Sequence, residues 1–389
     1  MSETKEKKKM LKINALGHAM SDSYMFIIPL LLPLFRAEFA INYIQSGLIL
    51  TAHVAIRTVF SLLFGYFGDQ YDKRWLIAGG FLFSSIVLGG LIWAQKIHII
   101  VTLLLLLAIG VSTYHPIATS LVRENSEVKE RVRNYSIFGA IGVVGAISSS
   151  LLFGIFSHLW GWKITLLLFS LPGYFLAYAY LRRKNGKKYH KLDVEKKKGS
   201  GYLPLFYIGK SFRTLGTWAI LAFLPVYATD YIGFKPEFSA WMISIYFIGE
   251  LLGTYIFSKI KDNGQQLEMI IGSTVLITVL IWAITLFMQP FAIILVIAAI
   301  GIVQGIFFPS QNVWLTYVCP VNNQSSVFGM ALFSDGISAT FAPAIYGWIA
   351  EQSSLAGAYR IASLPVVISF FIHVLLYILL NRQEKSIKI

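Results

Sequence analysis

The sequence predicts an all-α polytopic membrane protein of twelve transmembrane helices in two pseudo-symmetric six-helix halves. Three observations predict it. First, 56% of the 389 residues are apolar and only 13% are charged, which is too hydrophobic for an ordinary soluble domain. Second, twelve apolar runs approach the ~20 residues that a spanning helix needs. Six lie near 14–35, 43–66, 75–95, 98–121, 135–158 and 162–181, and six near 204–228, 238–259, 267–288, 291–317, 326–349 and 359–380. Third, the chain echoes itself at an offset of 193 residues: Asp69 falls on Asp262, Pro116 on Pro309, Ser170-Leu171-Pro172 on Ser363-Leu364-Pro365, and Arg57 on Glu250. Phe138-Gly139 meets Phe328-Gly329 at an offset of 190. Coincidences at nearly half the chain length indicate a duplicated bundle.

The short gaps between runs make successive helices antiparallel, and the charges orient them. A net charge of +14 raises the possibility of a nucleic-acid partner, but position decides against it. Of the 33 basic residues, 25 fall in alternate gaps on one side, while the opposite gaps hold only Arg36, Lys96, Lys163, Lys235 and Arg360. Positive-inside bias then puts both termini and the central loop in the cytoplasm of a cell inner membrane. The expected organisation is an N-terminal tail (1–13), a bundle (14–181), a basic linker (182–203), a second bundle (204–380) and a C-terminal tail (381–389). Cys319 is the single cysteine, so no internal disulfide and no metal-ligand set is expected, and no cofactor. A cleavable signal peptide is not expected, because the first apolar run is full length and carries His18 and Asp22.

The runs ending at Phe64 and starting at Trp75 enclose a short polar gap with the spacing Gly-x-x-x-Asp-x-x-x-basic-basic, made by Gly65, Asp69, Lys73 and Arg74. It resembles the signature loop between the second and third helices of the major facilitator superfamily, with Gln70 where a basic residue is usual and Asp72 where glycine is usual. The resemblance implies a conformational latch in which Asp69 accepts hydrogen bonds from a helix N-terminus or an arginine. Pro116 and Pro309 are expected to kink spans four and ten and to free backbone carbonyls. Glycines 139, 142 and 145 on span five, and Gly249 with Gly253 on span eight, are expected at close helix contacts. Proton-driven exporters of the superfamily often add a proline to the span-five motif, and it is absent here.

Ionisable groups inside spans carry the functional reading, since hydrocarbon makes an unpaired charge expensive, by at least ~2.5 kcal/mol at a helix centre. His18 and Asp22 lie four apart on span one, and His53 and Arg57 four apart on span two. Span four has Tyr114-His115-Pro116, span seven Lys210 and Arg213, span eight Glu250, span eleven Asp335 and span twelve His373. One reading pairs them structurally: Asp22 with Arg57, and Glu250 with Lys210 or Arg213. The other has them line an aqueous cavity. Asp22, His18 and Glu250 are then the proton-coupling candidates. Arg57, Tyr114, His115, Lys210, Arg213, Gln311 and Asn312 are the candidates for contact with an anionic or zwitterionic small molecule. His373 is expected at a packing or lipid-facing position.

A narrower resemblance is carried by Gly17-His18-Ala19-Met20-Ser21-Asp22, by 29–39 with Pro29 and Pro33, by Tyr114-His115-Pro116, by 212–216 and by 222–227. These stretches resemble fosmidomycin-resistance-type transporters. The resemblance implies a secondary active exporter of a small drug or metabolite, driven by proton antiport through alternating access. A facilitator or exchanger of a small organic anion without proton coupling is the competing expectation, and a non-transporting receptor or scaffold a third. No enzyme is expected, because no nucleophile–base pair or phosphate-cradling loop stands out. A monomer in contact with membrane lipid, with no nucleic-acid partner, is expected.

Overall fold

A computed structural model of the chain describes residues 3–127, 130–183, 201–260, 264–287, 289–318 and 324–387. The described residues are 92% helical and include no strand. Among them, ten stretches are long and apolar enough to cross a membrane. One of them, Asn134–Leu181, is 48 residues long and is two spans joined at Gly161, where φ is +78° and ψ 156°. Only glycine adopts that backbone cheaply, so the break is written into the residue itself. Helix α13 (Gln324–Gln352) covers the stretch expected near 326–349, so the described helices are consistent with twelve spans without giving that count exactly.

Prolines set the other breaks. Helix α1 (Glu3–Met25) gives way at Phe26 to α2 (Ile27–Phe39), because Pro29 has no N–H to return to the Met25 carbonyl. Ala40, at φ 53°, then ends α2. Helix α5 (Ile97–Ser112) gives way at Thr113 to α6 (Tyr114–Glu124), where Pro116 cannot bond the Ser112 carbonyl. Ser61 of α3 (Tyr43–Gln70) donates to that oxygen instead, at 3.4 Å. Helix α12 (Pro290–Val318) runs unbroken through Pro309, so the kink expected in span ten does not appear as a break, but Pro309 likewise has no N–H for the Gly305 carbonyl. The Thr254 hydroxyl of α10 (Trp241–Lys259) lies 3.2 Å from that oxygen and shares its proton with the Glu250 carbonyl of its own helix at 2.9 Å. Both prolines therefore leave a carbonyl without its helical amide, and a hydroxyl on a neighbouring helix reaches each one.

The chain divides into two compact units. Unit 1 contains Met1–Ile41, Ala52–Lys191 and Phe234–Ser244; unit 2 contains Asn42–Thr51, Leu192–Gly233 and Ile245–Ile389. In unit 1, α1 packs on α6 and α7 (Arg131–Leu181), and α4 (Lys73–Gly90) packs on α5 and α7. In unit 2, α8 (Leu203–Tyr227) packs on α13 and α14 (Leu355–Ile387), and α11 (Gln266–Leu286) packs on α12 and α14. The core of unit 2 includes Phe206, Phe307, Trp314 and Leu315. Outward faces keep Trp93, Phe175, Phe291 and Leu332 largely exposed, a surface suited to lipid rather than water.

Some expectations shift. Helix α1 is already helical at Glu3, through the stretch expected to be a tail, and α14 continues to Ile387. The linker positions 184–200 and Asp262 lie outside the described residues. Gly249 and Gly253 do lie at close contacts: an added Cβ would sit 2.2 Å from the Ala298 carbonyl oxygen and 2.0 Å from that of Ile302. Gly139, in contrast, has nothing within 4 Å of such a Cβ.

Candidate functional site

Unit 1 gathers two histidines around one carboxylate. The helical spacing of α1 puts His18 and Asp22 on one face, and the break at Thr113 presents His115 in the first turn of α6. His18 Nε2 lies 3.5 Å from Asp22 Oδ2, and His115 Nε2 lies 3.2 Å from Asp22 Oδ1. Ser21 Oγ is 3.4 Å from the same His115 nitrogen. His18 Nδ1 is 2.7 Å from the Phe138 carbonyl, which can only accept, so Nδ1 carries the proton and Nε2 faces Asp22. A second proton, on Nε2, would therefore point at the carboxylate. The His18 ring stacks on Phe138 at 4.0 Å. Arg57 of α3 is close enough for its charge to act on Asp22. His53, four residues earlier, is buried with Nδ1 3.3 Å from the Leu104 carbonyl.

Helix α7 makes room for this cluster. A Cβ on Gly142 would meet Asp22 Oδ2 and His18 Cε1, each at 2.7 Å, and a Cβ on Gly145 would meet Ala19 Cα at 2.3 Å. Below it, Asn14 ties three helices: its Nδ2 donates to the Ala118 carbonyl at 2.9 Å, its Oδ1 accepts from Tyr180 at 2.9 Å, and its own carbonyl accepts from the Tyr114 hydroxyl. Tyr114 is thus buried with its hydroxyl committed to α1, next to the cluster rather than open to a solute. His18, Asp22 and His115 also offer one ligand atom each within 4.8 Å of one another, the one set among the described residues able to hold a metal ion. A search of the sequence by cysteine spacing could not find that set.

Unit 2 gathers a second ionic group. Lys210 and Arg213 are three apart on α8, and both are buried, at 2% and 1% exposure. Lys210 takes Asp335 of α13, with Nζ 2.6 Å from Oδ2, and also donates to the Ala331 carbonyl at 2.9 Å. Asp335, rather than the expected Glu250, is the carboxylate in this contact, because α8 packs directly on α13. Thr214 donates to the other Asp335 oxygen at 2.7 Å. The Arg213 guanidinium stands 3.5 Å over the Phe307 ring, while its Nε and Nη2 have no hydrogen-bond partner. Glu250 lies within electrostatic reach of Tyr246, which hydrogen-bonds Gln304. Gln311 is buried, whereas Asn312, next to it on α12, is exposed. His373 is fully buried against Gly209 and Phe206, with Nδ1 2.9 Å from the Ser369 carbonyl, and so packs inside the bundle rather than toward lipid.

At residues 65–74, α3 runs on to Gln70 before the chain turns. A Cβ added at Gly65 would lie 3.6 Å from Pro116 Cβ, and one added at Gly68 would lie 2.9 Å from Ile117 Cγ1, so α3 approaches α6 closely at Gly68. The Asp69 side chain lies outside the described residues. Lys73 pairs with Glu124, and Arg74 pairs with Asp72 and donates to the Arg183 carbonyl. Asp72 is the N-cap of α4, accepting from the Arg74 amide at 3.0 Å. Hydrogen bonds from Arg74 hold its carboxyl below the ordinary value against the cost of partial burial. An aspartate just before a helix start is a capping signal, and it was obscured here by the glycine usual at that position.

Comparison with known proteins agrees with this architecture. A model described as Major Facilitator Superfamily matches residues 15–212 and 206–388. Protein spinster homolog 1 of Homo sapiens is 33% identical over 115 residues, 29% of this chain, and the match spans only 22% of the human protein. The proton-coupled antiporter flippase LtaA of Staphylococcus saprophyticus is 21% identical over 93% of this chain and 96% of its own. The fosmidomycin resistance protein of Escherichia coli is 25% identical over 36% of this chain and 34% of its own. Among solved structures, a bacterial homolog of the human lysosomal transporter spinster, inward-facing and occupied, superposes with a TM-score of 0.74 at 15% identity, covering 96% of this chain and 97% of that one. The polytopic helical fold, the duplicated sequence and these matches lead to one conclusion. The chain belongs to the major facilitator superfamily, a family of membrane transporters and not of enzymes.

Proposed function

We propose that the protein is a secondary active transporter that exports a small drug or metabolite by proton antiport through alternating access. The observation that carries this reading is the Asp22 carboxylate flanked by His18 and His115, with the charge of Arg57 acting on it. Three groups that compete for protons within one hydrogen-bonded set can load and release a proton as their surroundings change. In this reading Asp22 is the carrier and His18 its relay, with Glu250 a secondary coupling group. In unit 1 Arg57 and His115 are the solute-contact candidates, with Tyr114 buried behind them as support, and in unit 2 the candidates are Lys210, Arg213 and Gln311, with Asn312 exposed beside them. Gly65, Asp69, Lys73 and Arg74 act as the conformational latch. The protein works as a monomer with both termini in the cytoplasm. Two relatives, the proton-coupled antiporter flippase LtaA and the fosmidomycin resistance protein of Escherichia coli, support proton antiport and a drug as solute.

One observation favours the second reading, a carrier of a small organic anion without proton coupling: the paired cations Lys210 and Arg213 in the interior of unit 2. Purified protein in liposomes, with a pH-sensitive dye inside, separates the two. Proton movement that requires one solute and disappears in Asp22→Asn supports antiport. Solute movement without protons, lost in Arg57→Gln and kept in Asp22→Asn, removes antiport and leaves the anion carrier.

A further inference from the structure

We infer that unit 2 contains an oxyanion subsite in which the Nε–Nη2 edge of Arg213 receives a phosphonate, phosphate or carboxylate group, with Asp335 as its built-in competitor. The inference deepens the transporter reading and rests on it, because it names the chemistry of the solute that this unit accepts.

Guanidinium donors lie in the plane of the group, and the two contacts of Arg213 divide accordingly. Its face is used, at 3.5 Å over Phe307. Its edge is not: Nε and Nη2, the atoms without a partner, carry the two parallel N–H bonds that form a side-on fork. That fork matches the spacing of two oxygens of one carboxylate or phosphonate. A side chain 1% exposed cannot leave two donors unmade for nothing, since each buried unsatisfied donor costs free energy. Stacking on Phe307 restricts the fork without consuming it, which is what orienting a bidentate donor requires.

The Lys210–Asp335 contact completes the case. Lys210, one helical turn before Arg213, already holds a carboxylate at 2.6 Å, and Thr214 holds its second oxygen. Unit 2 therefore shows, with its own side chain, that an oxyanion can be bound beside this pair of cations. Asp335 also acts electrostatically on Arg213. An entering anion must share the positive charge with Asp335, and Lys210 is placed to turn from one to the other. A merely structural ion pair predicts that removing Asp335 harms the protein; competition predicts that removing it improves anion binding.

The test is equilibrium binding to the full-length protein in neutral detergent, without a proton gradient, read by calorimetry with butylphosphonate, butyrate and butylamine. Wild type is expected to bind butylphosphonate and butyrate and not butylamine. Arg213→Gln is expected to lose at least tenfold, and Arg213→Lys, which keeps the charge and removes the fork, to lose nearly as much. Asp335→Asn is expected to bind at least fivefold more tightly. Should Asp335→Asn fold poorly, Asp335→Ser, which removes the competing carboxylate at the same position, is expected to tighten binding in the same direction. Unchanged binding in Arg213→Gln, or weaker or unchanged binding in both Asp335 variants, overturns the subsite. Repeating the titration in phosphatidylcholine nanodiscs with and without phosphatidylglycerol assigns the source: Arg213-dependent competition by phosphatidylglycerol identifies a lipid headgroup, and its absence a free solute. Because no gradient is present, failure of proton coupling would leave this result standing. Coupled export of a cation would sink the subsite alone.

Discussion

Substituting the two glycines of α7 that face α1 separates packing from chemistry. A Cβ on Gly145 lands 2.3 Å from Ala19 Cα and 2.4 Å from the Ala19 carbonyl oxygen. Those are backbone atoms, so α1 and α7 must part by roughly 1 Å to restore ordinary contact, a shift that close-packed interiors resist. Gly145→Ala is therefore expected to cost about 1–3 kcal/mol, the range for overpacking. A Cβ on Gly142 lands 2.7 Å from Asp22 Oδ2 and 2.7 Å from His18 Cε1. These are side-chain ends that can turn aside, so the stability cost should stay below about 1 kcal/mol. What is lost instead is the 3.5 Å approach of His18 to Asp22, and the proton movement proposed above for this cluster should fall by about tenfold, equivalent to about 1.4 kcal/mol. Thermal unfolding in detergent reads the first quantity, and the liposome dye assay reads the second. If Gly145→Ala melts like wild type, or Gly142→Ala is the less stable of the two, the reasoning fails.

Asn14→Leu removes the hydrogen bonds that the amide makes with the Tyr180 hydroxyl and the Ala118 carbonyl, and is expected to cost about 1–3 kcal/mol in unfolding experiments. Adding Tyr180→Phe should return part of it, and strictly additive effects would show that the bond is not made. Asp72→Ala removes the cap of α4 and should cost about 1 kcal/mol, whereas Asp72→Asn keeps the cap and loses only the charge. Because Arg74 depresses the Asp72 carboxyl, that charge contributes stability above the unfolded value of about 3.9 and loses it as pH falls through the lower folded value. The advantage of wild type over Asp72→Asn should therefore vanish at the acid end of a melting series, and an advantage that grows there would contradict the assignment.

How much of this was legible in the sequence depends on the range of the interaction. The spans were legible because each is a local run of apolar residues, and the kink at Pro116 because a missing amide acts on one carbonyl four residues away. The stretch 65–74 was legible as a turn, yet Asp72 was hidden by the glycine expected in its place. The span-five glycines were only partly legible. At about 100° per residue, positions 139 and 145 point about 120° apart, so one face cannot use all three. The gathering of His115 onto Asp22 and of Asp335 onto Lys210 was out of reach. Each joins helices far apart in the chain, and which of several candidate partners is met depends on the rotation of whole helices. Spacing within one helix predicted His18 with Asp22, and nothing local could add the third member.

The two matched prolines carry a further consequence of the duplication. Ser61 relieves the Ser112 carbonyl freed by Pro116, and Thr254 relieves the Gly305 carbonyl freed by Pro309; each of the three positions moves by the same 193 residues. Three positions that recur together form a device rather than three coincidences: a proline opens the helix, and a hydroxyl from its neighbour closes the bond that the proline cannot make. Within a membrane an unsatisfied carbonyl is costly, although measured interhelical hydrogen bonds contribute only about 0.6 kcal/mol on average. Ser61→Ala and Thr254→Val should each lose about that much. The decisive comparison repeats Ser61→Ala in a Pro116→Ala background, where the Ser112 carbonyl regains an amide partner and the serine has nothing left to relieve. There its cost should drop to near zero, giving a coupling energy of about 0.6 kcal/mol. The same cost in both backgrounds would mean that Ser61 stabilises the bundle by packing alone, and the hydroxyl brace would have to be abandoned in both halves.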